Sequence, residues 1–568
     1  MTFPSLFPTL PMLVVEKVVE YLLERRRNTF GEDIDKHNKK KRILYPLLSV
    51  GEFWRDAVLV SICDNCLIRF KPKDIDIEVV FPAWPADFLY PGFHKYNLVK
   101  RVVVAVPPWT DICNSRFGET IPKALDKGVI FPSATTLLVC SIRVTLEPFE
   151  HSHLYEETFK LTDVRARVTS FARSLLKVTP AVTGVIVCGN YASTLGSGGR
   201  QLWTSLISEL CQESVNSLQA YSAKNRRVIL DSMSISGLTR LIQQSNLASA
   251  PFAVLAYRNA GTLKELRIRT GTQANWRALI YGMTRTPTVY PSLTSFTLGV
   301  GNIPIHTSWA AINNVEPFPA LSTLEISEEY PFSDGLLFKG NGATLKNLRI
   351  PFCVISRNAL GKSGIVSHNG VRQMNSVIIG VPTDSAKTFT HNRVGDAIRQ
   401  QVHRLLEVTT TLKLRKDMTD FHVVSAICTA PGTAVIQNLE FTSLSFDLDR
   451  VIEIVSALPS LVSLTCQVHG PGTRLKSIPE DKLPSTLHAK HYPLSSKFRK
   501  LRLTKHASLP AIELVLVAML IAILCPNLSH VKLRPYCRTA FCNAVNEAMA
   551  KTSFQPYVDS LQRLLNSV

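Results

Sequence analysis

Cys63 and Cys66, separated by Asp64 and Asn65, have the spacing at which two thiolates grip one metal ion. The next cysteine is Cys113 and no second pair follows, so the four ligands of a structural zinc site do not assemble. No metal is expected. His488-Ala489-Lys490-His491 lacks the HExxH arrangement, in which two ligands and a base share one helix face, and reads as a solvated loop. Ser356 to Ser363, SRNALGKS, approaches a phosphate-cradling loop, but Ser356 stands where close phosphate approach needs Gly. Gly196-Ser197-Gly198-Gly199 has no strand-to-helix context for a dinucleotide. Neither a Gly-x-Ser-x-Gly elbow nor a framed pair of carboxylates occurs. No catalytic residue, cofactor or enzymatic activity is expected of the chain itself.

Charge is the stronger chemical signal. Across 470–506 stand Arg474, Lys476, Lys482, Lys490, Lys497, Arg499, Lys500, Arg502 and Lys505, against Glu480 and Asp481 alone. Arg474, Lys476, Lys497, Arg499, Lys500 and Arg502 are the candidate site for an acidic or phosphorylated target, because guanidinium forks pair with carboxylate and phosphate oxygens. A solvated loop that happens to be basic is the competing reading. Aromatics are thin there, with Tyr492 and Phe498, so stacking of single-stranded bases has little support.

The whole chain shares this bias. It has 64 Lys and Arg against 44 Asp and Glu, a net charge of +20, over 568 residues. Such a balance favours acidic partners and says nothing of fold. With 45% hydrophobic and 19% charged residues, the chain should fold as several domains or one solenoid. Twelve cysteines are too sparse for a disulfide scaffold, and Cys140, Cys188, Cys466 and Cys525 sit in apolar runs as small buried hydrophobes. The amino terminus lacks a basic region ahead of its apolar stretch, as a secretory signal needs. Ala511–Cys525, with Glu513 inside it, is short for a membrane span and is expected to be a buried helix. Cytoplasm or nucleus is the expected setting, and no membrane association.

Two kinds of element must carry these residues. The first seventy residues read as short helices. Residues 10–23 place Leu10, Val14, Val15, Val18, Tyr21 and Leu22 on one face, and 43–63 repeat apolar residues at helical spacing. Between them Arg25–Arg27 and Lys36–Arg42 form a basic stretch, a solvated loop or a nuclear-import signal. From about residue 80 a strand pattern recurs: apolar, two residues, apolar, one residue, apolar. The clearest copies lie at 261–271, 290–301, 318–329, 343–353, 458–470, 496–506 and 525–535, with weaker ones at 131–141 and 179–189. Leu263, Leu293, Leu321 and Leu345 are 30, 28 and 24 residues apart. Helical segments such as WTSLISELCQ, FAVLAYRNA, VGDAIRQQVHRLLE, FDLDRVIEIVSAL and IELVLVAMLIAIL fill the intervals. A period of about 20 to 30 residues with that core is the pattern of leucine-rich repeats.

The first seventy residues resemble an F-box through Leu10, Pro11, Val14, Val18 and Leu22, and then through Val50 and Trp54; CLIRF (66–70) stands where that motif ends in an apolar-basic stretch. Gly51 and Met12 depart from the motif, and the first interhelical loop is long. The resemblance implies an α/β protein with a short helical F-box-like domain (1–75, with a basic insertion at about 24–42) and an irregular leucine-rich-repeat solenoid (76–568). It further implies a substrate-recognition subunit of an SCF-type cullin–RING ubiquitin ligase. In that role Leu10, Pro11, Val14, Val18, Leu22, Val50 and Trp54 would dock on the Skp-type adaptor and the repeats would hold a target protein. The alternatives are a helical cap on a repeat scaffold with no ligase role, and a basic nucleic-acid binder, which the dispersed charge disfavours.

Overall fold

The computed structural model describes residues 42–50, 52–71, 76–81, 95–106, 129–141, 161–188, 197–211, 215–221, 235–244 and 250–270. It further describes 278–281, 288–300, 316–326, 344–351, 374–380, 394–414, 421–470, 497–505 and 530–534, with Val19, Lys123 and Leu125. Of the expected helix at 10–23 only Val19 is described; it is helical and buried. Leu10, Pro11, Val14, Val18, Leu22, Arg474, Lys476 and the segment Ala511–Cys525 lie outside the described residues. The chain divides into two compact units, Met1–Thr288 and Val289–Val568.

The first unit opens with a 3-10 turn at Arg42–Ser49 and α1 (Glu52–Cys63), which runs almost directly into β1 (Asn65–Lys71). β1 pairs antiparallel with β2 (Asp76–Val80) and parallel with β3 (Arg101–Val106). Parallel neighbours then follow in chain order: β4 (Thr136–Ser141), β5 (Gly184–Cys188), β6 (Ser217–Tyr221), β7 (Arg240–Gln244) and β8 (Glu265–Thr270). Parallel neighbours need a crossover, and α2 (Leu161–Val178), α3 (Ser197–Leu210) and α4 (Ala250–Arg258) lie in those intervals. β1 falls on the amino-terminal side of the expected division at 75, yet its pairing partners lie beyond it. The alternation of buried Cys66, Ile68 and Phe70 is what makes CLIRF a strand here.

The second unit is parallel throughout its described sheet. β9 (Ser295–Val300), β10 (Thr323–Ile326), β11 (Asn347–Pro351), β12 (Met374–Gly380) and β13 (Thr409–Leu414) pair in sequence. β14 (Asn438–Asp447), β15 (Ser463–Gly470), β16 (Lys500–Lys505) and β17 (His530–Arg534) continue the series. Its described helices are α5 (Val394–Val408), α6 (Phe421–Cys428) and α7 (Leu448–Ala457). α7 starts where the Asp447 carboxylate accepts the Arg450 N–H at 2.9 Å, satisfying a donor that a helix start leaves open. The molecule is a mixed α/β protein with an open, mostly parallel strand arrangement.

One spacing recurs in the strands of each unit. An apolar residue three before the second and five before the third recurs as a buried triad: Cys63-Cys66-Ile68, Val99-Val102-Val104, Val182-Val185-Val187, Leu263-Leu266-Ile268, Leu321-Leu324-Ile326 and Leu461-Leu464-Cys466 among others. The register stacks these triads into columns. Phe296, Leu324, Leu348, Val377, Leu412, Leu439, Leu464 and Leu501 are successive partners, none more than 2% exposed. Each such side chain removed from water contributes roughly 1.5–3 kcal/mol, so the columns are the core.

The turn before each strand carries a second ladder, made of backbone. The Asp64 carbonyl accepts from Lys100 and Arg101 N–H at 3.0 and 2.9 Å, and the Lys100 carbonyl accepts from Thr135 and Thr136. The same double acceptance recurs at Thr135, Thr183, Asn216 and Thr239, then at Thr294, Ser322, Lys346, Gln437 and Val462. Hydroxyls reinforce it, as where Ser322 Oγ donates to the Thr294 carbonyl at 3.0 Å. This backbone ladder pairs the turn N–H and carbonyl groups ahead of these strands, on residues that are exposed or half-buried.

Candidate functional site

The side chains between the second and third core columns point away from the core, because neighbouring strand residues face opposite sides. In the first unit the register aligns Leu67, Val103, Leu138, Ile186, Gln219, Ile242 and Arg267. That row is mostly aliphatic, and Val103 and Ile242 are themselves buried. Two residues earlier on β7 and β8, Arg240 Nε and Glu265 Oε2 are 2.7 Å apart.

In the second unit the matching row is Thr297, Glu325, Arg349, Ile378, Lys413, Glu440, Thr465 and Arg502, and the backbone register continues it to Lys532. Its first two cations have acids beside them in register. Arg349 Nη1 pairs with Glu325 Oε1, and Lys413 Nζ lies 2.9 Å from Glu440 Oε2. Beyond Glu440 the pattern changes. β15 offers Ser463, Thr465 and Gln467 opposite Lys500, Arg502 and Thr504 of β16, and these in turn register with His530, Lys532 and Arg534 of β17. The strands β15, β16 and β17 contain no Asp or Glu. Lys497, Arg499, Lys500 and Arg502 are all exposed.

Of the expected basic site, Lys497, Arg499, Lys500 and Arg502 are described, and Arg474 and Lys476 are not. Lys500 and Arg502 belong to one strand face, since Leu501 between them is buried in the core column. Lys497 and Arg499 flank buried Phe498 in the turn that leads into β16. His530, Lys532 and Arg534 were not among the expected site residues. Aligning the strand copies on their apolar triad and reading the intervening column would have found them: KLRL carries Arg502 where HVKL carries Lys532.

The expected adaptor-docking residues divide differently. Val50 is 49% exposed at the turn ahead of α1, and Trp54 on α1 is half-buried. Cys63 and Cys66 occupy the first and second places of a core triad, which accounts for their spacing without a ligand. Burial first, then the neighbouring Cys63, pushes the Cys66 thiol well up. Burial alone pushes Cys211 and Cys466 up to about 12. Cys428 is pushed up to about 11 by burial, against the lowering influence of Arg450 and with a raising one from Glu453. These thiols stay protonated and unreactive near neutral pH.

Among the described residues no helix is long and apolar enough to cross a membrane, and no group of three or more His, Cys, Asp or Glu is placed to hold a metal. No protein-family model and no curated protein matches the chain.

Proposed function

We propose that the chain is a protein-recognition subunit whose strand faces hold a target, and that its amino-terminal segment joins it to an SCF-type cullin–RING ligase through a Skp-type adaptor. The observation that carries the recognition half is the outward row of the second unit, half-buried from Thr297 to Thr465 and exposed at Arg502, where successive strands place side chains of changing chemistry at one register position. Leucine-rich repeats present targets with such a row, and the triad spacing supports that membership. The ligase half rests on the resemblance of Leu10, Pro11, Val14, Val18, Leu22, Val50 and Trp54 to an F-box, and the exposure of Val50 supports it. In this role the chain supplies effective concentration between target and ubiquitin donor, with the chemistry done elsewhere.

A repeat scaffold without ligase function is the second reading. The passage of α1 into β1 with one residue between them favours it, since a terminal coil needs a helical cap. Co-purification decides. The receptor reading expects the purified full chain to form a stoichiometric complex with the adaptor; absence of any complex leaves the scaffold reading standing.

A further inference from the structure

The cations of the second unit's outward face fall into two classes, and the difference points to a ligand. Arg349 and Lys413 each face a carboxylate on the adjacent strand. Lys500 and Arg502 face Ser463 and Thr465 on one side and register with His530 and Lys532 on the other. A sheet spaces these positions by about 4.8 Å across strands and about 6.7 Å along them. Lys500 and Arg502 are like charges on one strand face and repel each other, so the local folded state carries a cost that an anionic partner relieves. We infer that the face of β15–β17 is a docking site for an acidic, extended peptide segment of a target protein. This rests on the reading that the strand face recruits proteins.

Three features select that occupant. Alternate residues of an extended peptide repeat at about the same distance as Lys500 and Arg502 along β16, so carboxylates at every second position match the grid. The hydroxyls of Ser463 and Thr465 border the cations and supply neutral donors to the same oxygens. A nucleic-acid strand would want aromatic platforms for its bases, and β15, β16 and β17 contain no Phe, Tyr or Trp. The charge is also spread over a grid, which suits several carboxylates better than the convergent arginines that clamp one phosphate.

The test uses the full chain and a fluorescein-labelled peptide of alternating Glu and Ser, its Gln counterpart, and an oligothymidylate of equal charge, read by anisotropy at low salt. The Glu peptide is expected to bind, the Gln peptide to fail, and added salt to weaken the complex. Lys500→Glu with Arg502→Glu is expected to lower affinity by about tenfold or more, equivalent to about 1.4 kcal/mol. Arg173→Gln, on α2 beside Glu209 and outside the strand faces, should leave it unchanged. A milder pair, Lys500→Gln with Arg502→Gln, guards against a folding defect and should also weaken binding. Failure of the Glu peptide to bind, equal or tighter binding of the oligothymidylate, or full affinity in both double variants overturns the proposal. Adaptor binding measured on the same samples separates the two readings. Adaptor capture without peptide binding sinks the acidic site alone, and peptide binding without adaptor capture sinks the ligase role alone.

Discussion

At the scale of single residues, two polar side chains sit in the core with opposite accounts. Asn259 is buried, and its amide is fully used. Nδ2 donates to the Ile235 and Leu255 carbonyls at 2.9 Å each, and Oδ1 accepts the Leu238 N–H at 3.0 Å. It therefore stitches the turn before β7 to the end of α4. Asn259→Ala leaves the Leu238 N–H and the Ile235 carbonyl buried without partners and should cost about 2–6 kcal/mol, at roughly 1–3 per orphaned group. Denaturant unfolding measures this, and a loss below about 1 kcal/mol would show that the amide is dispensable. Thr409 stands in a core column where other strands of the second unit place Leu, Ile, Met or Phe, and its Oγ1 finds no partner among the described residues. Thr409→Val keeps the shape and the β-branch but removes the unsatisfied hydroxyl, so stability should rise by about 1 kcal/mol. A drop on the same measurement would mean the hydroxyl is bonded, to buried water for instance.

At the scale of elements, stability should reside in the columns and not in the outward row. Leu464→Ala removes a fully buried link between Leu439 and Leu501 and should cost about 2–5 kcal/mol. Lys413→Ala breaks only a surface ion pair and should cost less than about 1 kcal/mol. Equal effects in thermal melts would contradict this division of roles. The same column rule explains which strands could be read from the amino-acid pattern. All nine expected copies contain a described strand, because each has Leu, Val, Ile, Phe or Cys at the places that register stacks. β6, β7 and β13 escaped notice for a physical reason: Ala220, Gln243 and Thr409 hold triad places with small or polar side chains that the stacked neighbours still bury. β3, RVVVAV, is apolar on both faces, so its period of two is hidden. The basic residues of β16 were visible as composition. Their partnership with β17 was not, because it is a register fact, and register joins residues about thirty positions apart.

At the scale of the whole molecule, the decisive question is whether the amino-terminal apolar residues serve the fold or a partner. Val50 offers a clean test, because it is already half in solvent and its replacement uncovers no core. If Val50 docks on an adaptor, Val50→Asp places a charge in a desolvated contact and should weaken that complex by about tenfold or more, for which about 1.4 kcal/mol suffices. The melting temperature should not move. Val18→Asp extends the test to the expected first helix. Under the receptor reading it too should lose the adaptor at unchanged stability. Under the capping reading it strips an apolar contact from the end of the first unit's sheet and lowers the melting temperature with no adaptor affinity to lose. The two substitutions together are therefore more informative than either alone. Paired loss of adaptor binding with intact melting identifies a docking surface, whereas a melting defect confined to Val18→Asp identifies a cap. A wild-type chain that never binds the adaptor, with Val18→Asp destabilised, would end the ligase assignment while leaving the strand-face recognition of targets untouched.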